Sequence, residues 1–585
     1  MIPSRALFSI VALFGLLGCA PPPQEPPGSP SVALSAVGQR LDEYLSRLEP
    51  FGFSGAVLVA EGEEIHLDAG YGLADRDATI ANTADTVFQV ASITKQFTAA
   101  AIMALAIDGK LRTTDTLASF FSDVPADKES ITLRQLLTHT SGVLAGDTEY
   151  FDDNSRSEIV AMVLAEPLRF APGESFLYSN MGYALLAAVI EEVSGTSYEE
   201  YLRERLLLPA GMRSTGYRLS SWPPNSVAHW YADGVDNGDQ LDHLYPDWNF
   251  IGSGRIRSTT GDLYRWHRAL MSDEVLPAAA KQEMYTPVQN DYAYGWVVSD
   301  TDRGRLIRHN GASSDGAAAE FRRYVDEDLV IVVFSNVDGE QMLFGNHLAD
   351  HIDDLAHGID LDLPPRVSAD ANIDLQPFVG TYRSDSGPEI EIEILGDLLV
   401  ARGRGQGAVD ALYGAKRFAA GETVSETAQK ALVGLVERGD TTDFAALVAD
   451  PDRSERLAGY VRDNRTEGES ELGAYRSLQI LGTVADWMTD WDGAMTVVRL
   501  DFESGSTIFR LHWREGRIFG IGGGSLQEPA EFWLQPTADE DNFGGYHLAT
   551  TTTTQVQFLR ADDGRITSLV AGSEATPESV VFLRD

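Results

Sequence analysis

The sequence predicts an α+β fold in which one antiparallel sheet is assembled from both ends of a long region, residues 34–360. Strand patterns open this region, and helical patterns follow them. The strand patterns lie at 53–60 and 65–72 near its start and at 306–309, 319–325 and 329–335 near its end. Because such a sheet must cover its apolar surface, this order predicts helices packed on both of its faces.

Helical patterns occupy the middle of the region. An apolar run at 93–106 is typical of a buried helix and stops at Asp108-Gly109. The stretch 131–138 predicts a helix with Thr132 as its N-cap. A third pattern covers 183–193, and a helix at 340–356 is predicted to close the region.

The N-terminus has the pattern of an export signal. Arg5 precedes an apolar stretch, residues 6–17, that is too short to span a bilayer comfortably. The run Leu16-Leu17-Gly18-Cys19 resembles a bacterial lipobox, in which cleavage precedes a lipid-modified cysteine. We therefore expect a signal peptide at 1–18, a lipid on Cys19 and a Pro-rich tether at 19–33. The alternative is an ordinary secretory signal with an incidental cysteine.

The amino-acid composition excludes several kinds of ligand and partner. Cys19 is the single cysteine, so an intrachain disulfide and a cysteine zinc site are excluded. The chain has 45 Lys and Arg against 88 Asp and Glu, a net charge of −43. Such a chain repels phosphate backbones, so no nucleic-acid partner is expected. No later segment has a transmembrane pattern, and membrane attachment is expected only through Cys19, in an exported, lipid-anchored protein of a bacterial cell envelope.

The pattern changes after a linker at 361–374. Short alternating strands fill 375–415 and return at 528–585, which suggests one β module split by an insertion. The insertion, 420–525, is first helical and then β-stranded. Its helical part is predicted at 423–462 and its strands at 478–522.

Ser92 is the candidate nucleophile. Lys95 follows it by three residues at the start of a helical pattern, so both side chains lie on one face. A serine hydroxyl needs a base, and lysine serves as one when burial or nearby charge lowers its pKa. Isolated Ser-x-x-Lys is common and specifies little by itself.

Later residues complete the set. Tyr178 can relay the nucleophile's proton to the leaving group, and Asn180, two residues later, can position a substrate amide. His309-Asn310-Gly311 ends a strand along which a substrate carbonyl could lie. The backbone N–H groups of Ser92 and Ala312 would then form an oxyanion hole. Alone, each pattern has a structural explanation: a buried tyrosine, a helix cap or a structural histidine.

Together, Ser92-x-x-Lys95, Tyr178-x-Asn180 and His309-x-Gly311 resemble the motifs of the class C β-lactamase-like serine hydrolases. This superfamily also contains penicillin-binding DD-peptidases, D-aminopeptidases and esterases. The resemblance covers about residues 36–358 and includes the runs 136–142, 172–174 and 252–254. It implies a β-lactamase/transpeptidase-like catalytic domain with a helical half and an α/β/α half. It also implies acyl-enzyme chemistry at Ser92 with no metal and no cofactor.

His309 limits the substrate. Class C β-lactamases usually carry Lys-Thr-Gly as the third motif, and a histidine there is a weak or absent cation at neutral pH. The His-x-Gly form resembles the D-aminopeptidase and esterase branches. We therefore expect hydrolysis of an ester or of a peptide or D-amino-acid amide rather than true β-lactamase activity. The alternative is a non-catalytic, surface-anchored protein that binds peptidoglycan-like peptides.

The C-terminal region resembles two known folds. The strands after Gly380-Thr381-Tyr382 resemble lipocalin-like barrel modules, and 420–525 resembles a small helix-plus-sheet fold of the nuclear-transport-factor-2 kind. Such modules could roof the cleft, bind a partner or stabilise the chain. His347 and His351 have a spacing that can bind zinc, but no metalloprotease motif accompanies them, and no metal site is predicted. The oligomeric state is left open.

Overall fold

The computed structural model describes residues 34–585 except for short internal gaps. These gaps are 146–153, 219–220, 233–234, 240, 242–247, 314–315, 338–346, 368–372, 386, 396–397, 414–417, 419, 486–492, 524–530, 538–540, 549–550 and 573–579. Cys19, the predicted signal peptide and the tether lie outside the described residues. So does the first part of the helix predicted at 340–356.

The N-terminal region alternates as the sequence predicts, with strands at both of its ends. Its helices are α1 (Ala36–Leu48), α2 (Thr94–Ile107), α3 (Leu133–Leu137), α4 (Arg156–Ala165), α5 (Asn180–Ser194), α6 (Tyr198–Leu202), α7 (Thr260–Met271), α8 (Ala278–Met284) and α9 (Leu348–Ala356). Its strands are β1 (Gly55–Glu61), β2 (Glu64–Tyr71), β3 (Leu73–Asp75), β4 (Ile80–Ala81), β5 (Phe88–Gln89), β6 (Tyr231–Ala232), β7 (Val235–Asp236), β8 (Arg257–Ser258), β9 (Val297–Thr301), β10 (Gly304–Ala312), β11 (Ala318–Tyr324) and β12 (Leu329–Ser335).

The central sheet joins the two ends of the region. Its six strands have the order β2-β1-β12-β11-β10-β9, and all neighbours are antiparallel. The first strand pairs with the last, with Val57 opposite Val333. The predicted α+β architecture is therefore confirmed.

Both faces of the sheet are covered by helices. On one face, Leu58 and Val332 belong to the core that contains α2 and α5. On the other, Val59 and Ile331 belong to a second core with α1 and α9. Because side chains alternate along a strand, β1 and β12 contribute to both cores, which explains their continuous apolar runs.

Helix termini follow local capping chemistry. Thr132 caps α3 in a capping box with Gln135, as its sequence position predicts. Helix α5 begins at Asn180, three residues before the predicted start. The Ser179 hydroxyl accepts the Gly182 N–H at 2.9 Å, and this cap starts the helix early. Gly195, with φ of 74°, ends it in the left-handed conformation.

The C-terminal region forms a closed barrel and an inserted module. Its elements are β13 (Gly380–Arg383), β14 (Glu389–Leu395), β15 (Leu398–Arg404), α10 (Gln406–Tyr413), α11 (Gly421–Arg438), α12 (Thr442–Leu447), α13 (Ser454–Leu472), β16 (Tyr475–Ala485), β17 (Ala494–Phe502), β18 (Ser506–Arg514), β19 (Arg517–Gly523), β20 (Glu531–Pro536), β21 (Asn542–His547), β22 (Thr552–Arg560), β23 (Ile566–Gly572) and β24 (Val580–Arg584).

The barrel contains the eight strands β13, β14, β15 and β20–β24, and the inserted module has the four-stranded sheet β16–β19. Strand β15 pairs directly with β20, so the insertion leaves the barrel closed. Phe378, Phe543 and Phe558 pack against one another in the barrel core. On the outside, Tyr546 packs with α1 and α9, whose core covers the sheet face opposite α2.

Two observations concern membranes and metals. Among the described residues, no helix is both long and apolar enough to cross a bilayer. In the same part of the chain, no group of three or more His, Cys, Asp or Glu residues is arranged to hold a metal ion. His351 instead lies 2.8 Å, through its Nδ1, from the Tyr44 hydroxyl.

Candidate active site

Ser92 lies in a tight turn, residues 91–93, that leads directly into α2. Ala91, the residue before it, has a φ of 43°, a left-handed conformation that is costly for a residue with a side chain. Backbone bonds stabilise this turn, since the Val90 N–H donates to Ile256 O at 2.8 Å and the Ile93 N–H to Val90 O at 3.1 Å. The strained turn fixes the position of the Ser92 side chain.

Gly311 explains why glycine is needed in the His309-x-Gly311 motif. A Cβ atom there would lie 2.5 Å from Val90 O and 2.8 Å from Ser92 N. Both distances are too short for nonbonded atoms, so any side chain would push β10 away from the Ser92 turn. The structure thus brings these two predicted motifs into direct contact.

Lys95 is fully buried in the first turn of α2 and points at Ser92. Its Nζ lies 3.1 Å from Ser92 Oγ, 2.8 Å from Asn180 Oδ1 and 2.8 Å from the Ser253 carbonyl oxygen. All three partners are uncharged. Burial therefore lowers the pKa of Lys95 well below its ordinary value.

The Tyr178 ring lies beside the Lys95 amino group. Lys95 Nζ lies 4.6 Å from the centre of the Tyr178 ring, and a hydrogen bond joins the Tyr178 hydroxyl to Ser92. Burial raises the pKa of Tyr178 above its ordinary value, although the Ser92 hydrogen bond opposes this shift. The phenol is therefore protonated at neutral pH.

His139 supports the segment that carries Tyr178. The Ser179 N–H donates to His139 Nδ1 at 3.0 Å, and the His139 and Tyr178 rings lie 4.3 Å apart. His139 has a φ of 57°, so the turn that contains it is also strained. Burial, Lys95 and His309 lower the pKa of His139, which leaves the imidazole neutral.

His309 is buried beside Tyr292. Its Nε2 lies 2.9 Å from the Tyr292 hydroxyl, and its Nδ1 lies 2.6 Å from the Asn310 carbonyl oxygen. Burial is the largest cause that lowers the pKa of His309 to about 3, and the nearby Lys95 and Arg308 act in the same direction. The third motif therefore contributes no cation at neutral pH.

Within the described residues, β9 leaves the end of β10 without a strand partner on that side. Strand β9 pairs with residues 304–308 of β10, whereas β11 pairs with residues 306–312. The Ser313 N–H donates to Ala317 O at 2.9 Å, and antiparallel pairs alternate, so the Ala312 N–H points away from β11. Because Gly311 packs on the Ser92 turn, the backbone N–H groups of Ser92 and Ala312 lie in the same part of the site.

Two groups that contribute to this geometry have no site role predicted from the sequence. The Ser253 carbonyl, which Lys95 contacts, is a backbone group and has no side-chain signature. Tyr292 lies in the segment Tyr292-Ala293-Tyr294, between α8 and β9, and an isolated tyrosine there is typical of a core residue. Only the fold brings both groups to the site.

A separate cavity lies elsewhere in this region. It has a volume of about 250 Å³, and Asp75, Trp222, His229 and Asp239 are among its lining residues. None of the predicted site residues lines it. We therefore assign the candidate chemistry to the Ser92 cluster and not to this cavity.

Comparison with known proteins identifies the family. Residues 50–353 of the 585 match the family model described as Beta-lactamase, which is more than half of the chain. The chain belongs to the beta-lactamase family. It is thus a member of a fold family of serine hydrolases, as its motifs predict.

Two proteins of Bacillus subtilis (strain 168) are similar to about half of this chain. Penicillin-binding protein 4* is 30% identical over 345 residues, which are 54% of this chain and 75% of that protein. A putative penicillin-binding protein, PbpX, is 28% identical over 308 residues, or 52% of this chain and 75% of that protein.

One solved structure is similar over more of the chain. The octameric penicillin-binding protein homologue from Pyrococcus abyssi is 18% identical, and the match covers 93% of this chain and 99% of that one, with a TM-score of 0.50. At this identity the likeness concerns the fold alone. Because it covers 93% of this chain, it extends beyond residues 50–353, the part that the family model matches.

Proposed function

We propose that this beta-lactamase family member is a serine hydrolase that forms an acyl-enzyme at Ser92 with an ester or with a peptide or D-amino-acid amide. The observation that carries this proposal is the environment of Lys95. Asn180 Oδ1 and the Ser253 carbonyl can only accept hydrogen bonds, so they take two N–H groups of the amine. In the neutral amine, the remaining lone pair then faces the Ser92 hydroxyl at 3.1 Å.

The proposed acylation uses these groups in order. Ser92 Oγ forms a bond to the substrate carbonyl carbon as its proton passes to Lys95 Nζ. The carbonyl oxygen becomes an anion that the N–H groups of Ser92 and Ala312 stabilise. The leaving group then departs with a proton delivered through Tyr178, whose raised pKa keeps it protonated beforehand. Water next attacks the ester carbon by the same route and releases the acid.

The substrate class follows from His309. A neutral imidazole gives little attraction to a carboxylate, which a lysine in the third motif would bind. We therefore propose that the group beside β10 is uncharged in the preferred substrate. The relatives named as penicillin-binding proteins make acylation by a β-lactam a useful comparison, but efficient β-lactam hydrolysis is not expected here.

A fluorophosphonate probe tests the nucleophile. We expect the wild-type protein to be labelled and Ser92→Ala to remain unlabelled. Ser226→Ala is the control, since the Ser226 hydroxyl only donates to Pro223 O at 2.8 Å in a loop. Equal labelling of Ser92→Ala would contradict the proposed acyl-enzyme at Ser92. No labelling of the wild type would contradict the hydrolase proposal and favour the peptide-binding alternative.

Two substrates then distinguish esterase activity from amidase activity. Neither a short-chain aryl ester nor a D-amino-acid anilide carries a carboxylate, and the leaving atom is oxygen in the first and nitrogen in the second. We expect turnover of at least one by the wild type and of neither by Ser92→Ala. Turnover of a β-lactam far faster than of both would contradict the proposed substrate class.

We also propose that the protein is exported and anchored by a lipid on Cys19. The supporting observations are the short apolar N-terminal run and the cysteine that follows Leu-Leu-Gly. Metabolic labelling with a clickable fatty acid in a bacterial host should mark the wild type but not Cys19→Ser. Incorporation of label into Cys19→Ser would contradict the anchor.

A further inference from the structure

Tyr292 connects the two sides of the candidate site. Its hydroxyl lies 2.9 Å from His309 Nε2 on β10, while the hydroxyl of Tyr183 on α5 donates to Leu137 O at 2.8 Å. Its ring lies 4.5 Å from the His139 ring, which in turn packs on Tyr178. Tyr292 is itself buried. One side chain thus contacts both the strand that carries His309 and the layer that supports Tyr178.

The hydrogen bonds assign a tautomer to each of the two histidines. The Asn310 carbonyl can only accept, so His309 Nδ1 carries the proton and His309 Nε2 accepts from the Tyr292 hydroxyl. At His139 the Ser179 N–H donates to Nδ1, so the proton of that neutral ring is on Nε2. The two neighbouring imidazoles therefore have opposite tautomers.

We propose that Tyr292 is a positioning residue that fixes His309 as the Nδ1–H tautomer and thereby sets the backbone of β10 beside Ser92. The proposal rests on the proposed serine-hydrolase function. In water the Nε2–H form of histidine is the more populated, so the Nδ1–H form needs a donor at Nε2. Tyr292 supplies that donor, and the Nδ1–H bond to Asn310 O then holds the peptide before Gly311.

The peptide before Gly311 matters because the next residues of β10 face the nucleophile. Gly311 packs against Ser92 N, and Ala312, directly after it, carries the other N–H of the proposed oxyanion hole. Without the Tyr292 hydroxyl, the His309 ring loses the donor that keeps its proton on Nδ1. A small shift of the 310–312 backbone would then weaken stabilisation of the oxyanion more than binding of the substrate.

Nitrogen-15 NMR of histidine-labelled protein tests the tautomer without any substrate. Signals are assigned with His309→Gln and His139→Gln. We expect Nδ1–H for His309 and Nε2–H for His139 in the wild type, with His309 moving toward the Nε2–H form in Tyr292→Phe. An Nε2–H His309 in the wild type, or an unchanged His309 tautomer in Tyr292→Phe, would overturn the proposal.

Kinetics on the aryl ester test the consequence. In Tyr292→Phe we expect kcat to fall roughly ten- to a hundredfold while KM changes less than about twofold. The control is Tyr294→Phe, because the Tyr294 hydroxyl lies in the same segment but donates to Glu283 at 3.1 Å, outside the cluster. It should keep wild-type kcat.

The possible failures are distinguishable. Unchanged kcat in Tyr292→Phe, or an equal loss in Tyr294→Phe, would overturn the positioning role and leave the proposed hydrolase intact. An unlabelled, inactive wild type that still shows the expected tautomers would instead overturn the proposed function and, with it, the positioning role. The wild-type NMR measurement decides the tautomer even if Tyr292→Phe fails to fold.

Discussion

Two buried cations on opposite faces of the central sheet have different partners. Lys95, on the α2 face, contacts a hydroxyl, an amide oxygen and a peptide carbonyl. Arg322, on the α9 face, lies 2.7 Å from Asp350, 3.4 Å from Glu320 and 3.6 Å from Asp353. Burial lowers the pKa of Lys95, whereas the three carboxylates raise the pKa of Arg322 despite its burial.

Burial therefore has two different effects on these cations: it makes Lys95 chemically reactive, and it leaves Arg322 as a structural charge. A buried cation without a counter-charge tends to lose its proton, which makes an amine available as a base. A buried cation among carboxylates keeps its charge and links the elements that carry them, here β11 and α9. The barrel packs on the α1 and α9 side. One face of the sheet therefore carries the candidate chemistry, and the other carries the attachment of the C-terminal region.

The largest expected effect comes from Lys95→Arg. A guanidinium keeps the positive charge but does not lose its proton, so it cannot serve as the base for Ser92. We expect kcat/KM on the aryl ester to fall by about a thousandfold, within the usual range for loss of a general base. The measurement is steady-state hydrolysis after a thermal melt has confirmed folding.

Lys430→Arg is the matched control for this prediction. Lys430 is an exposed lysine of α11, 3.3 Å from Asp443, and should keep wild-type activity. A Lys95→Arg protein with more than about a tenth of wild-type kcat/KM would contradict the role of Lys95 as a base. Lys95 on the α2 face and Arg322 on the α9 face would then no longer differ in the role of the buried cation.

A smaller effect is expected from His309→Lys, which adds a cation to the third motif. Paired aryl esters, one neutral and one with a carboxylate in the acyl chain, measure the change. We expect the ratio of kcat/KM for the anionic ester to that for the neutral ester to rise roughly tenfold, about 1.4 kcal/mol. His309→Gln, which is neutral, should leave the ratio near the wild-type value. An unchanged ratio in His309→Lys would show that this position does not select substrate charge.

Much of the fold was predictable because its signals are local. The apolar runs of β1 and β12 predict buried strands, and Thr132 predicts the start of α3. The start of α5 differs from the prediction by three residues. Its cap is Ser179, which lies inside the Tyr178-x-Asn180 motif and carries no separate helix signal in the sequence. The barrel is predicted through the resemblance of the strands after Gly380-Thr381-Tyr382 to lipocalin-like modules, and the structure confirms it. The pairing that closes it, between β15 and β20 more than a hundred residues apart, is specified by no local pattern.

The candidate site likewise combines residues that the sequence predicts with groups that only tertiary packing brings together. Ser92, Lys95, Tyr178, Asn180 and His309 were found from short motifs because each motif keeps its residues close in sequence. The lowered pKa of Lys95 was anticipated only as a condition, since burial depends on the packed helices around it. Tyr292 belongs to no motif. Ser253 lies in the run 252–254, but the group that contacts Lys95 is its backbone carbonyl, so only tertiary packing reveals the role of either group.

The smallest expected effect concerns pH and the α9 face. His357 Nδ1 lies 2.8 Å from Asp353, a member of the Arg322 network, and its Nε2 lies 3.1 Å from Glu327. Asp353 contributes most to raising the pKa of His357 to about 9. Because the folded pKa exceeds the unfolded value of about 6.5, this stabilisation is complete below pH 6.5 and is lost as the pH rises through 9.

Urea unfolding of the wild type and of His357→Gln between pH 6 and pH 10 measures this contribution. We expect the wild type to be the more stable protein at pH 6 and the difference in free energy of unfolding to shrink toward pH 10. The activity of both proteins on the aryl ester should be equal, because His357 contacts the carboxylate network and not the Ser92 cluster. A difference independent of pH would mean that His357 stabilises the fold by packing alone. Contacts other than the His357 ion pairs would then stabilise the α9 face. Arg322 alone would remain as the charge-paired counterpart of Lys95.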